Sequence, residues 1–276
     1  MRRSPLQSLL LYIAVFGFCA LVLFPIYWMF ISSLAPSSRL RNFPPVFFPA
    51  DPHWQTYWTV LTEHALLRWL LNSALAAVAA VLLSLSVSIL AAYSLSRFRV
   101  RGGHSLGLFI LVSKMLPATL LVIPLFAIFR NAGLIGSLWS IILAHSTLII
   151  PFSTWMLKGY FDTIPTELEQ AAMVDGCSPL GAMARVVLPA AAPGIAATAL
   201  YGVVLSWADY VFARTFLTSN QGAWTANVGI ATLKGEHHTH WNEIMAASML
   251  TALPILLTYF FLQRYLVSGL TSGAVK

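Results

Sequence analysis

The stretch that decides the organisation of this chain is IPTELEQAAMVDGCSPLGAMARVVLP, residues 164–189. It is a polar segment inside an otherwise apolar sequence, and it contains three of the nine acidic side chains. Pro165 blocks a helix on the upstream side, and Thr166 with Glu169 three residues later fits a capping box. A short helix is therefore predicted to begin here, and Gly176 is expected to end it in a left-handed conformation.

A second short helix is predicted immediately afterwards. Ser178 is suited to the N-cap, Pro179 to the first helical position, and Pro189 is expected to end the helix. Residues 164–189 are thus predicted to form a helix, a glycine turn and a helix, here called the knob. We interpret the knob as a surface presented to a partner. The alternative is a well-capped loop that only connects two spans.

The composition indicates a membrane protein with several spans. The chain has 276 residues, of which 58% are hydrophobic and 9% charged, and its mean hydropathy is +0.78. About a quarter of the residues are charged in an ordinary soluble domain. The net charge of +7 comes from basic residues in small groups at the ends of apolar runs, as topology signals are placed. Cys19 and Cys177 provide neither a disulfide framework nor a metal-ligand spacing.

The apolar runs predict an all-α, polytopic membrane protein of one domain with six transmembrane helices. The first run follows Arg2 and Arg3, and we interpret it as a retained span because it lacks a cleavage site. Nine of the 16 Lys and Arg residues fall on the side of the knob and six on the other, which predicts that both termini are cytoplasmic. The spans cover about residues 9–33, 70–95, 106–129, 138–157, 194–216 and 244–266, with a cytoplasmic loop at 159–193.

Two charged residues within predicted spans are candidates for the solute path. Lys114 lies in the third span, where a charge costs roughly 2.5–3.5 kcal/mol on insertion; a side chain that snorkels or forms a structural ion pair is the alternative. Asp209 is the only acid within a predicted span, and its neighbours Trp207 and Tyr210 suit sugar recognition by stacking and hydrogen bonding. The alternative is an interfacial anchor close to water.

The chain lacks motifs for chemistry of its own. It has no GxxxxGK[ST] phosphate loop, so we expect no ATP hydrolysis by this chain. His237, His238 and His240 lie in a polar loop, which we interpret as solvated and not as a metal site. Arg185 is the only basic residue of the knob, and DNA binding needs several phosphate contacts. A scaffold protein and an ion-coupled transporter are further alternatives; the latter predicts inverted repeats, or broken helices with intramembrane acids.

From Gln170-Ala171-Ala172 through Asp175-Gly176 to Leu188-Pro189, the knob resembles the EAA loop of ABC importer permeases. Gln170 departs from that motif because it stands where the family has glutamate. Glu169 lies on a different helical face, since neighbouring positions are about 100° apart. The final residues 269–276, GLTSGAVK, are similar to the C-terminus of the second permease of maltose-type carbohydrate importers.

The resemblance implies the fold of a type I ABC importer permease in the cell membrane. It implies as partners a dissimilar second permease, a dimer of ATP-binding subunits that would bind ATP and Mg, and an extracytoplasmic solute-binding protein that the loop 218–241 would contact. The solute would be a sugar or oligosaccharide, or alternatively glycerol phosphate or a glycerophosphodiester. The implied ATPase-coupling residues are Glu169, Gln170, Ala171, Ala172, Asp175, Gly176, Gly269, Thr271 and Gly273, and the predicted solute-path residues are Trp207, Asp209, Tyr210 and Lys114.

Overall fold

The computed structural model describes residues 5–40, 43–45, 47–49, 51–98, 102–235 and 239–274. Side chains are described as far as Arg264, except those of Pro5, His104, Leu106, Leu108 and Leu111. All secondary structure in these ranges is helical, apart from one isolated bridge between Lys234 and Thr239. The chain divides into two compact units, one of Met1–Leu67 with Gly229–Ala252 and one of Arg68–Val228 with Leu253–Lys276. The prediction of an all-α polytopic protein is confirmed.

Within the described ranges, four helices are long and apolar enough to cross a membrane: Leu6–Leu34, Leu66–Arg97, Leu138–Asp162 and Trp241–Arg264. They correspond to the first, second, fourth and sixth predicted spans. A fifth candidate is the pair Pro179–Ala190 and Ala192–Ala208, which bends by 77°.

The helices are α1 (Pro5–Leu34), α2 (Gln55–Thr62), α3 (Leu66–Arg97), α4 (Gly103–Ser113), α5 (Val122–Asn131), α6 (Leu138–Asp162), α7 (Thr166–Val174), α8 (Pro179–Ala182), α9 (Leu188–Ala190), α10 (Ala192–Ala208), α11 (Val211–Leu217), α12 (Ala226–Thr232) and α13 (Trp241–Ala274).

The third predicted span is interrupted. Helix α4 ends at Ser113, a 3-10 turn covers Ala118–Leu121, and α5 follows. Pro117 explains the interruption, because it lacks an amide hydrogen and disfavours the helical conformation of the residue before it. The third predicted span is therefore broken into two helices, and Lys114 lies at the start of the break.

The fifth predicted span is also interrupted, at a place without proline or glycine. Helix α10 ends at Ala208, Asp209 is extended with φ −67° and ψ 136°, and α11 begins at Val211. Nothing in the local composition predicts this break.

In the second unit, side chains of α3 and α6 pack in one apolar cluster, and α10 lies against α6. The buried face of α3 contains small residues at every fourth position from Ala76 to Ser88, namely Ala76, Ala80, Ser84 and Ser88. Small side chains let helices approach each other closely. At Gly202 of α10 an added Cβ would lie 2.8 Å from Cγ2 of Val81 on α3 and 3.3 Å from Cγ2 of Ile149 on α6.

Candidate functional site

The knob forms the predicted helix, glycine turn and helix. Gly176 has φ +93°, and the amide of Cys177 donates to the carbonyl of Ala172 at 2.9 Å, while the Gly176 amide donates to Met173 at 3.1 Å. These two bonds define a Schellman motif. The Ser178 hydroxyl accepts from the Gly181 amide at 3.1 Å, and α8 begins at Pro179.

Two details of the knob were predicted wrongly. The capping box does not form, because Pro165 occupies the N-cap of α7 and Glu169 points elsewhere. Pro189 does not end the second helix, which runs on to Ala190. A π-helical turn at Met183–Val187 precedes Pro189, and this wider turn accommodates a ring that would clash with the carbonyls of a regular α-helix.

Glu169 is buried against the C-terminal end of α3. Its Oε1 accepts from Nε of Arg97, and its Oε2 accepts from the Tyr93 hydroxyl at 2.9 Å. The two charged side chains are only 9% (Arg97) and 6% (Glu169) exposed. The structure thus directs Glu169 to its own chain. The other predicted coupling positions of the knob are accessible: Gln170, Ala171, Asp175 and Gly176 are exposed and Ala172 is half-buried.

Arg97 and Tyr93 were not predicted from the sequence as site residues. Arg97 is one of three arginines at alternate positions after the second span, and such a group is typical of a topology signal. No local pattern relates it to Glu169, which lies 72 positions later.

The predicted C-terminal coupling residues Gly269, Thr271 and Gly273 lie on α13. The helix continues to Ala274, so this part of the chain is helical and not a separate tail after the sixth span. The surroundings of their side chains lie outside the described residues, as do Val275 and Lys276.

Lys114 contacts two neighbouring helices at the break after α4. Its ammonium donates to the Leu148 carbonyl of α6 and, at 3.0 Å, to the Tyr201 hydroxyl of α10. The nitrogen also lies 5.4 Å from the centre of the Tyr201 ring, in range of a cation–π interaction. The rings of Tyr201 and Phe152 are 4.2 Å apart and tilted by 38°. Neither aromatic residue was predicted from the sequence.

Asp209 makes its contacts within the chain. Its carboxylate accepts from the amides of Phe212 at 3.2 Å and Ala213 at 3.0 Å, which caps the first turn of α11. Oδ2 also lies 3.3 Å from Nε2 of His145, although this approach lacks hydrogen-bond geometry. His145 is buried, and its Nδ1 is 2.7 Å from the Ser206 hydroxyl. The predicted pairing of Asp209 with solute stays a prediction.

The neighbours of Asp209 differ in exposure. Trp207 is buried, whereas Tyr210 is exposed. The Asn227 amide group donates to the carbonyls of Trp207 at 2.9 Å and Asp209 at 3.0 Å, which ties α12 to the break between α10 and α11. The three predicted residues therefore surround a helix break that the chain itself stabilises.

The polar loop before α13 is only partly described. His237 and His238 lie outside the described residues, and His240 Nδ1 is 3.6 Å from Glu243 Oε1. Glu243 also meets His64, with 2.8 Å between Oε2 and Nε2. Within the described ranges, no group of three or more His, Cys, Asp or Glu residues could hold a metal ion.

Comparison with known proteins identifies the family to which this chain belongs. The family model described as binding-protein-dependent transport system inner membrane component matches residues 84–272. The chain is 34% identical over 263 residues to the diacetylchitobiose uptake system permease protein DasC of Streptomyces coelicolor, with 95% of both chains covered. It is 33% identical over 279 residues to the trehalose/maltose transport system permease protein MalG of Thermococcus litoralis, covering 100% of this chain and 99% of that one.

A solved structure has the same fold. A chain of a bacterial ABC transporter involved in the import of the acidic polysaccharide alginate aligns with a TM-score of 0.78 at 23% identity, covering 96% of this chain and 98% of that chain. The family match, the relatives and the apolar helices together define a multi-pass membrane permease. The chain belongs to the binding-protein-dependent transport system inner membrane component family. It is the permease subunit of an importer, and ATP hydrolysis belongs to a separate subunit.

Proposed function

We propose that this chain lines part of the solute path of an ATP-driven importer for a sugar or oligosaccharide. The observation that carries this proposal is the agreement among relatives that align over nearly their whole length. Their names specify diacetylchitobiose, trehalose or maltose, and arabinooligosaccharides, and each is at least 31% identical to this chain. Their solutes differ in size but are all saccharides.

The proposed partners follow the same family pattern. They are a second, dissimilar permease, a dimer of ATP-binding subunits that holds ATP and Mg, and an extracytoplasmic solute-binding protein. Both termini are cytoplasmic in this arrangement, in keeping with the distribution of Lys and Arg. The exposed residues Gln170, Ala171, Asp175 and Gly176 would form the face of the knob toward an ATP-binding subunit.

The chemistry around Lys114 supports a polar solute path in this chain. The ammonium lies at a helix break beside the rings of Tyr201 and Phe152. Among the residues that the structure describes, no carboxylate lies within ion-pair distance of Lys114. Aromatic faces combined with a few directed polar groups are typical of small-molecule sites. Sugar hydroxyls would accept hydrogen bonds from this ammonium.

An anionic solute is the second candidate, because an ammonium without a carboxylate partner would also pair with a phosphate or sulfonate group. The sulfoquinovosyl glycerol transport system permease protein SmoH of Agrobacterium fabrum is 34% identical to this chain over 254 residues. Glycerol phosphate and glycerophosphodiesters fall in the same chemical class.

In the proposed mechanism, ATP closes the dimer of ATP-binding subunits and the knob moves with the subunit on which it docks. The spanning helices then move as rigid bodies, and the path opens alternately to either side of the membrane. The ATP-dependent closure favours one of the two arrangements, and release of the hydrolysis products restores the other.

The test is uptake by the reconstituted complex of this chain with its partner permease, ATP-binding subunits and binding protein. Proteoliposomes with internal ATP would receive labelled disaccharides, oligosaccharides, glycerol 3-phosphate and a glycerophosphodiester. We expect saccharide uptake that requires both ATP and the binding protein. Uptake of the phosphorylated solutes alone, abolished by Lys114→Met, would establish the anionic alternative, and uptake without ATP would overturn both.

A further inference from the structure

The guanidinium group of Arg97 uses all three of its nitrogens at the end of α3. Nε donates to Glu169, and Nη2 donates to the Ile164 carbonyl at 3.1 Å. Nη1 donates to the Phe161 carbonyl and the Ser96 hydroxyl, each at 2.9 Å. A planar fork of donors in fixed directions is the property that distinguishes arginine from lysine.

Three of these four acceptors lie outside α3. Phe161 lies in the last turn of α6, Ile164 is the first residue of the knob and precedes α7, and Glu169 lies in α7. The Tyr93 hydroxyl on α3 satisfies the second oxygen of Glu169. Arg97, Glu169 and Tyr93, here called the latch, therefore join two spanning helices to the knob.

Helix α7 is held against the rest of the chain mainly by the latch. Of the nine residues of α7, all within the described part of the chain, Glu169 is the only buried one. The second half of the knob is attached differently, because Met183 and Val187 pack with Tyr93, Leu157 and Phe161 in an apolar cluster. The first helix thus has an ionic attachment where the second has an apolar one.

Stability alone does not account for a buried ion pair at this position. Replacing such a pair with apolar side chains is often neutral or stabilising, whereas removing one partner leaves an uncompensated buried charge. The latch combines directional bonds to two carbonyls with the ion pair, so it constrains the direction of α7 relative to α3 and α6. A rigid connection of this kind suits the transmission of movement.

We propose that Arg97 is a positioning residue for coupling: through the latch it makes α7 move together with the cytoplasmic ends of α3 and α6. A displacement of the knob would then reach both spanning helices and would not be absorbed by bending at residues 163–165. This inference rests on the proposed function, because it assumes that an ATP-binding subunit moves the knob.

The experiment measures solute uptake and ATP hydrolysis in the same proteoliposomes containing the complete complex. Arg97→Lys keeps the charge but loses the fork, Glu169→Gln removes the carboxylate, and Tyr93→Phe removes one hydrogen bond. Lys158→Met is the matched control, since it breaks the exposed ion pair with Asp162 on the same end of α6. The solute is whichever compound the wild-type complex transports, so the result does not depend on that solute being a sugar.

We expect Arg97→Lys and Glu169→Gln to lower uptake per ATP hydrolysed about tenfold, which lies within the usual range of coupling between sites. Tyr93→Phe should have a smaller effect, and Lys158→Met should match the wild type. ATP hydrolysis stimulated by the binding protein should persist in all four variants. Unchanged uptake per ATP in Arg97→Lys and Glu169→Gln would overturn the proposal. So would a parallel loss of uptake, hydrolysis and complex assembly, which would make the latch a purely structural contact.

Discussion

Oδ2 of Asp209 lies 3.3 Å from Nε2 of His145, so an acid at the end of α10 meets a buried histidine of α6. The same carboxylate accepts the amides of Phe212 and Ala213. A helix start leaves its first amides without intrahelical partners, and Asp209 satisfies two of them. The Asp209 carboxylate therefore provides partners for the amides of Phe212 and Ala213 at the break between α10 and α11.

The Asp209 contacts predict a stability effect. We expect Asp209→Ala to lower the free energy of unfolding by roughly 1–3 kcal/mol, because it removes a helix cap and buried hydrogen bonds. Asp209→Asn keeps an acceptor and should cost less. Thermal unfolding in detergent measures both, with the exposed acid Asp51 as the control in Asp51→Ala. A fully stable Asp209→Ala variant with uptake reduced about tenfold would instead support direct contact with solute, as the sequence suggests.

The turn of the knob predicts a coupling defect at Gly176. Its φ of +93° is inaccessible to proline, whose ring holds φ near −65°. Gly176→Pro should therefore abolish ATP-driven uptake while the protein still inserts. Gly176→Ala should be milder: its Cβ meets no atom within 4 Å, and only the backbone strain of about 1–2 kcal/mol remains.

Reconstituted uptake and membrane insertion are measured in parallel for the Gly176 variants. The control is Gly159→Ala on the exposed surface of α6, where a Cβ also meets nothing within 4 Å but the conformation is helical. Uptake by Gly176→Pro at the wild-type rate would show that the turn is merely a linker.

Close packing at Gly202 predicts a specific clash. A Cβ there would lie 2.8 Å from Val81 Cγ2, so Gly202→Ala should destabilise the protein by about 1–3 kcal/mol through overpacking. The second substitution Val81→Ala removes the clashing methyl group and should restore part of that loss. Thermal unfolding of both variants tests this, and Gly17→Ala, with nothing within 4 Å, serves as the control. Unchanged stability of Gly202→Ala would contradict the close approach of these helices.

The orientation in the membrane is tested by labelling single cysteines in a background without Cys19 and Cys177. We expect cysteines introduced at Ser38, Asn131 and Gln221 to react with an impermeant maleimide from outside intact cells. A cysteine at Ser178 should react only after permeabilisation. All four positions are exposed, so burial within the chain would not shield any of the cysteines from the maleimide. Labelling at Ser178 in intact cells would refute the predicted topology.

Features that depend on near neighbours in the chain were predictable from the amino-acid sequence. Apolar runs located the long helices, since crossing hydrocarbon requires a continuous length of apolar side chains. The glycine turn of the knob and the start at Ser178 and Pro179 were also predicted correctly. Each of these depends on the conformational limits and hydrogen bonds of a few consecutive residues.

Tertiary structure decided the features that depend on distant partners. Glu169 could serve either the amide groups of its own helix or another side chain, and the nearby guanidinium of Arg97 determined which. Asp209 and His145 are 64 positions apart, and the break between α10 and α11 depends on groups brought there by α6 and α12. A buried charge takes the partner that folding places beside it, because an unpaired one is costly, and sequence spacing does not encode that proximity.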